Sequence, residues 1–273
     1  MRRARRPVPR ARGFSLVEIA VGLVILGLSA AGLVAVIGQQ SEHRRLVETR
    51  ASLSAARDAL LAYVAAHGRL PCPAPAGSAG QESRVAPGSA QCTQTAGLLP
   101  AVTLGLPGLD ANGLLVDGWA DGAGNGNGTF LRAIRYAVAP TAPTAPNALT
   151  ATGLGNPTLA GRQQLAAAFA ANEGLFVCRS ATGAVAAGNR CGSAANTLSS
   201  SAAAVLWSQG PNGNQPGAWS ADEQQNANQT VGRVLVSRET MPAGAVGGAF
   251  DDVATWISFQ MVVDRLLTAG HTQ

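Results

Sequence analysis

Lysine is absent from this chain: all 20 basic residues among 273 are arginine. Aromatic residues are scarce, at 4 %, and only three histidines occur, at positions 43, 67 and 271. These gaps exclude several chemistries. Without lysine there is no phosphate-cradling GxxxxGK[ST] loop, and neither HExxH nor GxSxG is found. Three scattered histidines do not assemble a catalytic triad on paper. Few aromatics and no visible basic groove leave single-stranded nucleic acid without a stacking platform. The lysine-free, alanine-rich composition reads as the coding bias of a GC-rich genome.

Charge is distributed unevenly. Six arginines precede Gly13, and the remaining 14 face 15 acids, so the positive net charge of the whole chain belongs to residues 1–13. The high isoelectric point is therefore no sign of nucleic-acid binding. An apolar run, FSLVEIAVGLVILGLSAAGLVAVIG, occupies the 25 residues 14–38 and contains one charge, Glu18. As a helix it would be about 37 Å long, enough for a hydrocarbon core of about 30 Å. Arginines favour the cytoplasmic side, which places the remainder across the membrane, in the periplasm of a Gram-negative cell.

A plain membrane anchor accounts for the hydrophobicity alone. A secretory signal has a shorter apolar region, about 7–15 residues. A twin-arginine export signal is prompted by Arg2-Arg3 and Arg5-Arg6, but the rest of that consensus is missing. None of these requires Glu18. A charge at the bilayer centre costs about 2.5–3.5 kcal/mol, less near the edge, so it calls for a partner or a function. Phe14 and Glu18 are four apart and share a helix face. Gly22, Gly27, Ser29, Gly32 and Gly38 interrupt the run; small residues let membrane helices approach closely, and each glycine weakens the helix by about 1 kcal/mol relative to alanine.

A basic leader ending in Gly13, with Phe14 the first residue after it and Glu18 the fifth, then the apolar run, resembles the signal of type IV prepilins and type II secretion pseudopilins. The resemblance covers about the first 25 residues of the chain. It implies cleavage after Gly13 by prepilin peptidase and N-methylation of Phe14. It further implies pairing of Glu18 with the terminal amine of a neighbouring subunit. The implied protein is a structural subunit of a type II secretion pseudopilus or type IV pilus, not an enzyme. It would be held by inner-membrane lipid as a single-pass protein with a periplasmic head, then drawn among other pilin or pseudopilin subunits. The head exceeds that of a minimal major pseudopilin, which favours a minor subunit. The rival reading is a membrane-anchored periplasmic binding or enzymatic domain with a non-pilin anchor.

The expected organisation is a cleaved leader at 1–13, a transmembrane or filament-core helix at 14–38, an amphipathic continuation at 39–68 and a globular head at 69–273. From 39 to 67 there is neither proline nor glycine. Leu46, Leu53 and Leu60 recur every seven residues, with Val47, Leu61 and Val64 widening the stripe, so one face seeks a core or a coiled-coil partner. Gly68 and Pro71 stop the helix. Beyond it, 71–128 reads as irregular. Strands are expected at 130–138, 174–179, 203–207, 231–237 and 253–258, with short helices at 159–172 and 259–269. The fold class is α+β: one long N-terminal helix, pilin-like, packed on a loop-rich antiparallel sheet. Weaker resemblances to pseudopilin segments lie at Asp117-Gly118-Trp119 with Ile134-Arg135-Tyr136, and at Ser208-Gln209-Gly210-Pro211-Asn212-Gly213, where Asn212 stands in place of a common acid. Leu70 to Ala74 and Phe250 to Ser258 resemble segments of a larger prepilin-like subfamily.

Four cysteines, Cys72, Cys92, Cys178 and Cys191, follow the apolar run. An oxidising compartment makes disulfides the default. Three connectivities are open; Cys72–Cys92 and Cys178–Cys191 are favoured because each closes a short loop. Zinc would want CxxC-like spacing or adjacent histidines. No cofactor is expected, with calcium as the one candidate. Calcium takes six to eight oxygens, and Asp222, Glu223, Asp251 and Asp252, with Asn226, could supply some. The stretch 222–228 also reads as a solvated turn.

Overall fold

The computed structural model describes residues 16–89, 91–120, 127–140, 148–150, 174–184, 190–227, 233–242 and 244–270, with the side chains of 28–39, 127–129 and 148 left aside. The chain divides into two compact units, Met1–Arg44 and Arg45–Gln273. A helix, α1, covers Leu16–His67.

In the first unit the apolar side chains described on α1 between 16 and 26 are exposed. Leu16 is 87 % exposed, and Val17, Ile19, Val21, Leu23, Val24, Ile25 and Leu26 are all exposed. Among the described residues no helix is long and apolar enough to cross a membrane. The side chains that would complete the apolar run lie outside those residues.

In the second unit α1 turns one stripe inward. Thr49, Leu53, Ala56, Leu60, Leu61 and Val64 are buried, whereas Val47 is exposed. The seven-residue leucine spacing therefore marks the buried face, and Thr49 and Ala56 complete it where small side chains permit close approach. Gly68 ends the helix in the left-handed region, at φ 66°, with its N–H donating to the Val64 carbonyl at 2.8 Å. Glycine adopts that conformation without a Cβ penalty.

The head is α+β. Its strands are β1 (Ala96–Leu98), β2 (Arg135–Val138), β3 (Leu175–Cys178), β4 (Thr197–Ser208), β5 (Val234–Val236) and β6 (Val253–Ser258). They form one sheet in the order β1-β2-β4-β3-β5, with β6 also on β4. The long strand β4 is central: β3 lies against 197–202, β2 against 204–207 and β6 against 202–208, all antiparallel. The β3–β5 pair is parallel, with Phe176 opposite Val234 and Cys178 opposite Val236. The sheet is thus antiparallel-rich rather than purely antiparallel.

Among the described residues, three further α-helices are α2 (Asn127–Arg132), α3 (Ala221–Ala227) and α4 (Phe259–Thr268). The core packs Leu53, Leu60, Leu61 and Val64 of α1 with Tyr136, Leu206 and Trp207 of the sheet and with Val262 and Leu266 of α4. Leu60 is fully buried. Tyr136 is also enclosed; its hydroxyl donates to the Pro71 carbonyl at 3.1 Å, and burial holds its pKa well above the usual phenol value.

Two expected elements differ. The segment 130–138 is a strand only from Arg135; its first part belongs to α2, where Phe130 packs on Leu98, Leu114 and Ala133. Within the stretch 222–228, residues 222–227 form no solvated turn: they belong to α3, whose Asp222, Glu223 and Asn226 are buried, and 228 lies outside the described residues. The helix expected at 159–172 lies outside the described residues.

Candidate functional site

Two regions carry the expected functional residues. At the N-terminus, Gly13 and Phe14 lie outside the described residues. Glu18 sits in the first turn of α1 and is exposed. An acid in a first helical turn is favoured by the helix dipole, by about 0.3–1 kcal/mol.

In the head, the acids at 222, 223, 251 and 252 separate into two environments. Asp222 and Glu223 are neighbours on α3, about 100° apart around the helix. Asp222 faces Arg238, whose Nε is 2.8 Å from Oδ2. The Ala181 N–H and the Ser180 hydroxyl donate to its Oδ1 at 2.6 and 3.1 Å. Arg238 also stacks on Phe250, 4.8 Å from the ring centre. Asp222 is therefore an ion-pair residue and does not join the other three.

Glu223, Asp251 and Asp252 each bring a carboxylate oxygen within 4.8 Å of the others. Glu223 closes a capping box on α3: its Oε2 accepts from the Ser220 N–H at 2.7 Å, and its own N–H donates to Ser220 Oγ at 3.3 Å. Its Oε1 accepts from Asn212 Nδ2 and from the Asp251 N–H, at 3.1 and 3.0 Å. Asp252 accepts from Asn226 Nδ2 at 2.7 Å. Asp251 Oδ1 and Asn212 Oδ1 are buried without a hydrogen-bond partner among the described residues.

Burial, and then the charge of Glu223, raises the Asp251 pKa to about 7. Asp252 is raised well above the usual carboxylate value, first by burial and then by Glu223 and Asp251, against the Asn226 hydrogen bond and the charge of Arg135. Three carboxylates in one place do not all ionise readily. The three oxygens suit a cation in sign. They fall short of the six to eight that calcium takes, and the N–H donors on Glu223 already satisfy both of its oxygens.

The two internal segments noted in the sequence meet beside this cluster. Ser208 donates to Asp117 Oδ2 at 2.7 Å, and the Trp119 N–H donates to Oδ1 at 3.0 Å. Arg132 donates to the carbonyls of Gly210 and Pro211 and to Asn214 Oδ1. Gly210, at φ 61°, lies against Asp251, and a Cβ there would collide with its carboxylate and carbonyl. Burial raises the Asp117 pKa, opposed by the Ser208 and Trp119 hydrogen bonds and by Arg132. Nothing in the sequence marks Arg132 as a bracing residue, and Asn226, a candidate oxygen donor by residue type, instead accepts from the Val236 N–H and donates to Asp252. Asn226 belongs to a polar helix face, which leaves no apolar period to follow.

The cysteines form two disulfides, Cys72–Cys92 and Cys178–Cys191. Beside the first, Arg69 binds Glu82 through two nitrogens, at 3.0 and 2.7 Å, and Glu82 accepts from the Cys72 N–H at 3.0 Å. Despite burial, those bonds hold the Glu82 pKa below the usual value.

No curated protein and no solved structure gives a significant match to the chain. The N-terminal segment does give one: residues 9–34 match the prokaryotic N-terminal methylation motif, the signature of type IV prepilins and pseudopilins.

Proposed function

We propose that the chain is a structural subunit of a type II secretion pseudopilus or type IV pilus. The motif match at 9–34 carries this reading. Prepilin peptidase cuts after Gly13, the Phe14 amine is methylated, and the apolar part of α1 holds the protein in the inner membrane before it enters a filament. The head lies in the periplasm. The outward apolar side chains of 16–26 support the reading, because a filament core or a lipid bilayer would cover them. So do the two disulfides, which fit an oxidising compartment. The function is assembly rather than turnover.

The absence of lysine makes processing easy to read. No side chain carries a primary amine, so an amine-selective reagent reports on the chain terminus alone. In cells with prepilin peptidase, the expected product begins at N-methyl-Phe14 by mass spectrometry. A product retaining residues 1–13, or cut at an A-x-A site, would favour the rival periplasmic domain on a non-pilin anchor.

Glu18→Ala is expected to leave cleavage intact and to reduce incorporation into filaments about tenfold or more, as loss of one well-placed ionic contact implies. Quantifying the variant in sheared filaments against its membrane pool tests this. Equal incorporation removes Glu18 from the assembly contact.

A further inference from the structure

Arg57 on α1 and Met261 on α4 are 204 residues apart in sequence, yet Arg57 Nη2 donates to Met261 Sδ at 3.3 Å. Arg57 Nε is buried and has no hydrogen-bond partner among the described residues. A cation rich in donors is thus served by a thioether, among the weakest acceptors in a protein. Met261 is partly buried and packs against the main core. The other methionine outside the leader, Met241, is 39 % exposed. Oxidation of a buried methionine ordinarily disrupts packing, because a polar sulfoxide replaces an apolar sulfur. Here the new oxygen would form beside a guanidinium that has an N–H to spare, and a bond from a charged donor is about twice as strong as a neutral one.

We propose that Met261 is an oxidative-modification site whose sulfoxide is received by Arg57, so that the α1–α4 contact survives attack by a peroxide. The step balances. The sulfur gives two electrons to the peroxide, the O–O bond breaks, one oxygen bonds to sulfur and the other leaves as water. The thioether is oxidised and the peroxide reduced. Arg57 neither gives nor takes a proton; it positions the product oxygen.

The test uses the full chain in detergent with Met241→Leu, so that Met261 is the oxidisable methionine of the head. Hydrogen peroxide is titrated, peptide mass spectrometry follows the added oxygen, and Tm is measured before and after. With Arg57 present, oxidation is expected to leave Tm unchanged or higher. With Arg57→Leu, it is expected to lower Tm by about 4 °C, the effect of an unsatisfied polar group in a domain of this size. Met261→Gln supplies a permanent oxygen acceptor and keeps the test open if Arg57→Leu does not fold. Its Tm is expected within about 2 °C of the unsubstituted protein. The proposal is overturned if Met261 resists peroxide in the folded chain, or if oxidation lowers Tm equally with and without Arg57. It is also overturned if the Tm of Met261→Gln falls more than about 2 °C below that of the unsubstituted protein.

Discussion

At the scale of single residues, Asp251 controls a pH response. Its folded pKa of about 7 lies above the ordinary value of an unfolded aspartate, near 3.8. The folded state therefore holds the proton more tightly. The stability this contributes is full below about pH 4 and is lost as pH rises through about 7. Glu223 and Asp117 raise the affinity for the proton after burial does, while Arg132 and the Asn212 N–H oppose them. Asp251 is only partly buried, so solvent screening leaves a fraction of the nominal effect. Asp251→Asn is expected to raise Tm at pH 8 by about 2–4 °C, equivalent to about 1 kcal/mol, and to change it little at pH 4. Thermal melts at both pH values decide this. Equal shifts at the two would mean that the carboxyl titrates alike in folded and unfolded chains.

At the scale of elements, α3 shows what the sequence could and could not reveal. The strand at 253–258 was legible because β-branched and aromatic residues cluster there and Ser258 caps the helix that follows. The lower face of α3 is polar, with Asp222, Glu223 and Asn226 turned inward, so hydrophobic periodicity had nothing to detect. The signal present was the capping box Ser220 to Glu223. In α2, Phe130 and Leu131 read as strand residues, but local packing on Leu98, Leu114 and Ala133 took precedence. Candidate acids were visible as residue types. Their partition was not, because Asp222 and Glu223 part only once the helix forms.

The buried face of α3 also has a structural task. Asn226 accepts from the Val236 N–H at 2.7 Å and donates to the Val236 carbonyl at 2.9 Å, so its amide stands in for a neighbouring strand on β5. Gln225 donates to the Val234 carbonyl at 3.1 Å. Asn226→Ala is expected to cost about 2–4 kcal/mol, since it strands two buried backbone groups. Urea unfolding measures the loss. A cost below about 0.5 kcal/mol would mean that water replaces the amide.

At the scale of the whole molecule, the second unit rests on one main core, two smaller apolar clusters and two covalent bridges. The loops closed span 20 and 13 residues in sequence separation. In the chain-entropy model each contributes about 3 kcal/mol by constraining the unfolded chain. Replacing either pair with alanine is expected to lower stability by about that amount, read from denaturant midpoints with and without reductant. Reductant should then have little further effect on a variant lacking both bridges. A single-pair variant as stable as the parent would show that its loop is already ordered when the head unfolds.

The Cys72–Cys92 bridge has a mechanical consequence as well. The chain leaves α1 at His67 and reaches the bridge at Cys72. Tension applied along the helix meets a covalent link almost at once. The 20-residue separation would otherwise release about 70 Å of slack at full extension. With the bridge closed, pull passes from Cys72 straight to Cys92 and the intervening loop stays unloaded.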